Sequence, residues 1–198
     1  MKIYDISQEL LESVVYPGDP APQRTVIASV DAGAVCNLST LFLCAHNGTH
    51  VDAPYHFVQE GKTIEAIPLS QLVGMAYVAA YSGALSADAA REICERAKDT
   101  CEEAAKKILL KGDVTITAEA AETFVANGVE LIGVESQSVG EAKAPMEVHL
   151  ILLRAGVIPL EGIRLGHVPS GAYLLNAAPL SIKGGDGSPC RAILIDLT

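Results

Sequence analysis

The chain reads as an α/β protein, sheet-rich and folded as a single domain over residues 1–198. Three observations predict this. Short apolar or alternating runs recur along most of the length, the period-2 signature of strands. Only three stretches have helical composition, and 49% of the residues are hydrophobic, enough to bury one substantial core.

Taken in order, Ile3 to Leu11 opens as a strand and turn, followed by a Pro/Gly loop over residues 17–22. Gln23 to Ser29 and Cys36 to Cys44 alternate or run apolar, which predicts two strands leading into a histidine-rich segment. Residues 61–64 turn the chain back, Ile67 to Leu72 forms a short segment, and Gly74 to Tyr81 is the next strand. Ser86 to Lys107 is rich in Ala, Glu, Lys and Arg with Ser86 at the N-cap, so one long helix with a solvent-facing charged side is expected.

A strand at Ile108 to Leu110 breaks at Gly112 and Asp113, and Thr117 then caps a helix over Ala118 to Ala126, closed by Asn127 and Gly128. Glu130 to Glu135 is a strand. Glu147 to Ala155 reads as a helix ending at Gly156, and Val157 to Leu160 as a short strand delivering Glu161. Gly171 to Asn176 and Ala192 to Asp196 are the last two strands.

Charge and composition narrow the function. A net charge of −10 lacks the basic patches that nucleic acid or an anionic membrane surface requires. The first residues lack the apolar core of a secretory signal, and no run approaches the ~20 apolar residues of a membrane span, so the cytoplasm is the default expectation. Five cysteines, odd in number and without CxxC spacing, read as reduced thiols. Cys94 and Cys101, seven apart on the expected helix, would share a face as small apolar fillers.

The most informative stretch runs from Ala45 to Phe57, where His46, His50, Asp52 and His56 follow an H-x3-H-x-D-x3-H spacing. Neutral imidazoles with a carboxylate are the donor set for zinc or manganese. Gly48 permits a sharp bend between His46 and His50, while His50 and Asp52 share a face if extended. Pro54 has no N–H and a fixed φ, so it ends regular structure and directs His56. Packing alone gives no reason to gather four titratable side chains in so apolar a segment.

His46 to Phe57, HNGTHVDAPYHF, resembles the signature of the cyclase-like metal hydrolases that include bacterial kynurenine formamidase and isatin hydrolase. The resemblance extends to Tyr16-Pro-Gly-Asp-Pro20, Leu131-Ile-Gly-Val-Glu135, the span His149 to Glu161, and Gly185-Asp-Gly-Ser-Pro189 followed by Arg191. It implies a β/β/α swivelling-type fold and two divalent ions, zinc or manganese. His46, His50 and Asp52 match metal ligands, with Asp52 in the bridging position, and His149 and Glu161 match the distant ligands. Without the resemblance, His149 reads first as an ordinary histidine at the edge of an apolar helix and Glu161 as a solvated loop carboxylate. His56 matches the general acid/base, and its other reading is a residue that only orients the ligands.

The activity so implied is hydrolysis of a C–N bond in a small amide, an arylformamide such as N-formylkynurenine first and a cyclic amide like isatin second. A metal-dependent cyclase or lyase and a non-catalytic small-molecule-binding protein are the rival classes. The resemblance also implies a homodimer or homotetramer, with a neighbour's loop lining each pocket. Three features depart from the family's pattern: a short segment between Lys111 and Thr117, Glu135 where aspartate is typical, and Gly140 in place of an acid. The chain has no Trp, which leaves Tyr16, Phe42, Tyr55 and Phe57 as candidates to line an aromatic pocket.

Overall fold

The computed structural model describes residues 1–141 and 144–197. After β1 (Lys2–Asp5), the strands β2 (Gln23–Ala28) and β3 (Leu38–Phe42) form a separate antiparallel ribbon with Gln23 opposite Phe42. The histidine motif supplies β4 (His50–Asp52) and a 3-10 turn at Pro54–His56. There follow α1 (Leu69–Leu72), β5 (Val73–Ala80), β6 (Gly83–Leu85), α2 (Ala87–Thr100), β7 (Lys107–Lys111), β8 (Val114–Ile116) and α3 (Ala118–Ala126). The chain continues through β9 (Leu131–Val134), α4 (Pro145–Arg154), β10 (Ile158–Glu161), β11 (Gly171–Asn176), β12 (Gly187–Pro189) and β13 (Ile193–Asp196).

Among the described residues, nine strands form one mixed sheet in the order β1-β13-β11-β5-β7-β9-β10-β4-β12. Its centre, β5-β7-β9-β10, is parallel, and both flanks are antiparallel. Parallel neighbours need crossovers, which α2, α3 and α4 provide. Alternation along the central strands sends Tyr77, Ile108, Leu110, Ile132 and Val134 into the core under these helices, against Ile93, Phe124 and Leu152. Val78, Leu109, Leu131 and Leu160 point the other way, into a second core with Val51, Leu72, Tyr173 and Leu194.

Local sequence explains the helices. Ser86 and Thr117 accept hydrogen bonds from Ala89 and Ala120 N–H, the caps expected for α2 and α3. In α2, Ala90, Ile93, Cys94 and Ala97 are buried at helical spacing. The helix stops at Thr100, short of the expected Lys107, because Cys101 is extended and a 3-10 turn over Glu102–Lys106 follows. Burial of Ala104 and Ala105 against the sheet, and the pairing of Ile108 with Tyr77, require the chain to turn back there. Cys101 therefore shares no helix face with Cys94: its thiol lies 3.5 Å from Glu103 while Cys94 is buried in the core. All five cysteines are free.

Three short strands are absent from the sequence reading. β6 and β8 pair in parallel outside the main sheet, so the compact segment between Lys111 and Thr117 holds a strand. β12 pairs with β4, placing Gly187 opposite Asp52 and Pro189 opposite His50. Among the described residues no helix is long and apolar enough to cross a membrane.

Candidate metal centre

The antiparallel register of β4 and β10 sets His50 opposite Glu161, and alternation puts Asp52 on the face of His50. On the helix-covered side of the sheet, the apolar residues of β7 and β9 thus give way to three ligand-type side chains. α4 crosses this face with Val148 and Leu152 sunk in the core, and His149 is carried with them over the carboxylates. His46 enters from the loop before β4, where Gly48 has φ +65 as the bend requires.

A hydrogen-bond network ties the two ligand-bearing segments together. Thr49 Oγ1 donates to the Gly162 carbonyl at 2.8 Å and accepts from Gln8 N–H at 2.9 Å. Gln8 Nε2 donates to Gly162 O and to Gln137 Oε1, each at 2.9 Å, and Gln137 Nε2 donates to Gly48 O at 3.3 Å. Gly162 has φ +69, and a Cβ there would run into the Gln137 and Gln8 side chains and the Gly48 carbonyl. The residue after Glu161 must therefore be glycine for the network to close.

His50, Asp52, His149 and Glu161 are all buried. His149 Nε2 lies 3.1 Å from Glu161 Oε1 and 3.4 Å from Asp52 Oδ2, and His50 Nε2 lies 3.3 Å from Glu161 Oε2 and 3.5 Å from Asp52 Oδ1. His46 Nδ1 is 2.9 Å from Asp52 Oδ1. His50 Nδ1 faces the Gly48 carbonyl at 3.0 Å and must donate to it, which leaves Nε2 as the nitrogen turned toward the carboxylates. A neutral imidazole in that tautomer sets a lone pair against carboxylate oxygens, an arrangement satisfied by a proton on Nε2 or by a cation between them.

The electrostatics agree. Burial works against the charged form of His46, yet Asp52 and Asp186 outweigh it and raise its pKa to about 9. His149 likewise overcomes burial through Asp52 and Glu161 and rises to about 10. His50 is raised by Glu161 and Asp52 against the same penalty. Burial alone would raise Asp52, but contacts with His149 and His46 and the nearby His50 hold it well below the usual carboxylate range. Asp52 Oδ2 is buried without a hydrogen-bond partner among the described residues. A buried carboxylate oxygen with no hydrogen bond, 3.4 Å from the His149 ring nitrogen, suits a divalent-ion ligand, and this donor set fits zinc or manganese.

Of the residues expected from the sequence, His46, His50, Asp52, His149 and Glu161 converge. His46/His50/Asp52 and Asp52/His149/Glu161 each place one donor atom apiece within 4.8 Å of one another. A cleft of about 250 Å³ opens on them, lined also by His56, Phe57, Tyr16 and Asp19. The Phe57 ring stacks on His149 at 4.6 Å, and His56 stacks on His46 at 4.0 Å. Burial pushes the His56 pKa below its ordinary value, opposite to the shift of His46, His50 and His149. Phe42 lies elsewhere, on the exposed β3, and does not line the cleft, while Tyr55 is 44% exposed.

Sequence reasoning missed Asp186, which joins His46 and His56 in a third convergent group. The local signal was its place in Gly185-Asp186-Gly187, which reads equally as an ordinary turn. Gln8, Gln137 and Thr49 were missed as well, since no spacing links residues so far apart in sequence.

Fold and site together define a metal-dependent hydrolase of the α/β class. The chain belongs to the Cyclase family, whose model, described as "Putative cyclase", matches residues 4–141. It is 34% identical to the kynurenine formamidase of Salinibacter ruber, over 99% of this chain and 98% of that protein. It is also 34% identical to the kynurenine formamidase of Sphingopyxis alaskensis, over 99% of each. Among solved structures it is similar to a "predicted metal-dependent hydrolase" from Bacillus stearothermophilus, with TM-score 0.79, 28% identity and coverage of 98% and 97%. Isatin hydrolase A from Ralstonia solanacearum shares the fold, with TM-score 0.84, 21% identity and coverage of 98% and 92%.

Because the neighbouring carboxylates raise the pKa of His46 to about 9 and of His149 to about 10, and raise that of His50 as well, protons compete with a metal for these nitrogens and affinity rises with pH. Zinc binding near pH 7 is expected to release protons from the histidines that hold them without metal. Titration calorimetry in buffers of different ionisation enthalpy measures this, and binding with no proton release would contradict the assigned ligands.

Proposed function

We propose that the chain hydrolyses the C–N bond of a small aromatic formamide, with N-formylkynurenine as the leading substrate, at two divalent ions that share Asp52. The observation that carries the reading is the overlap of two convergent donor groups at that one carboxylate. The kynurenine formamidase relatives, matched end to end, supply the substrate class. Zinc is the first choice of metal and manganese the second, since histidine and carboxylate donors suit both.

Bound divalent ions supply Lewis acidity, which acidifies water and polarises an amide carbonyl. The chain's own residues do the rest. His56, neutral and on the cleft wall, accepts a proton at a ring nitrogen and returns it to the departing amine nitrogen. The Phe57 ring, packed on His149, and Tyr16 form the walls against which a flat aromatic group lies, and they keep bulk water from the carboxylates. Phe42 has no part in this within one copy of the chain.

Assembly into a homodimer or homotetramer is supported by the β2–β3 ribbon. Val26, Ile27, Leu38, Leu41 and Phe42 are each more than half exposed there, and an isolated two-stranded ribbon is marginal in water. Five free thiols suit a reducing compartment, which favours the cytoplasm.

Two outcomes follow. His56→Ala keeps its metal and loses about 10²–10⁴-fold in kcat, while Asp52→Ala loses metal and activity together. Elemental analysis beside formate release separates these, and equal metal loss in both variants would show His56 to be a ligand instead. Sedimentation of the wild type should give at least twice the 20.7 kDa of one chain, and a monomer would contradict the role given to the ribbon.

A further inference from the structure

Asp186, in the turn before β12, faces two imidazoles with one oxygen. Its Oδ2 lies 3.0 Å from His46 Nε2 and 3.7 Å from His56 Nδ1, and the two rings are stacked 30° from parallel. The other nitrogen of His46, Nδ1, points at Asp52 inside the convergent cluster. A neutral imidazole that offers Nδ1 to a cation carries its one proton on Nε2, and a carboxylate acceptor fixes that tautomer and the ring's orientation. At 3.7 Å the same oxygen is too far from His56 Nδ1 for a hydrogen bond, so it acts on His56 through the His46 ring stacked on it at 4.0 Å.

We propose that Asp186 is a positioning residue that couples metal binding to proton transfer, by fixing His46 as an Nδ1 ligand and orienting His56 beside it. The proposal rests on the metal-hydrolase reading. The Asp186 side chain is about half exposed, and its backbone carbonyl accepts from Ala53 N–H at 2.9 Å independently of the carboxylate. Substitution of the side chain therefore leaves the β4–β12 pairing in place.

The test compares Asp186→Ala and Asp186→Asn, with folding checked by circular dichroism and melting temperature. Cobalt(II) and zinc affinities are read by competition with a chromophoric chelator, and kcat and KM on N-formylkynurenine at saturating metal. Asp186→Ala should bind metal about 10–100-fold more weakly and lose kcat at nearly unchanged KM. Asp186→Asn keeps an acceptor oxygen and should recover part of both losses. Wild-type metal affinity in the alanine variant, or an asparagine variant no better than alanine, would overturn the proposal. So would loss of one ion at saturating metal, which would make Asp186 a ligand. Should the wild type hydrolyse no formamide, the metal-affinity arm still tests Asp186 while the substrate reading fails separately.

Discussion

Asp52 and Glu161 are buried within hydrogen-bonding reach of imidazoles, and the surrounding architecture is arranged so that these two carboxylates never lack a positive partner. Removing a carboxylate from water costs several kcal/mol even after relaxation, a large fraction of the stability of a domain this size. The histidines offset that cost by taking up protons, as their raised pKa values record, or by sharing a divalent ion. The β4–β10 register, the placement of α4 and the glutamine network behind Gly162 all serve to hold these groups at fixed separations.

That constraint explains why the site lies at one end of the sheet. The middles of the central strands β5, β7 and β9 are apolar on both faces and are covered by helices on one side. Toward the antiparallel edge, where β10 pairs with β4, the polar side chains of Glu161, His50 and Asp52 take the place of apolar ones on the helix side. The cleft opens there, and Phe57 and Tyr16 close its flanks.

The convergence of His46, His50 and Asp52 was legible because these residues are local: alternation and one glycine bend suffice to bring them together. His149 and Glu161 were legible only through family resemblance, because what joins them to the motif is strand register and helix packing, which no spacing encodes. The helix break at Cys101 carries no Gly or Pro, and helical composition continues past it, so tertiary packing of Ala104 and Ala105 overrides local preference there. Strands β6, β8 and β12 are three residues each, too short for alternation to mark them. Phe42 looked like a pocket residue by type alone, and its place on the ribbon depends on a β2–β3 pairing that turns it outward.

The central claim is that Asp52 is shared between two ions in a hydrolytic centre. Its most direct test is metal content per chain, by elemental analysis of protein purified without chelator or affinity metal, with formate release from N-formylkynurenine measured on the same sample. The account predicts about two divalent ions per chain and stoichiometric formate. Protein that remains metal-free after zinc and manganese are supplied would contradict it.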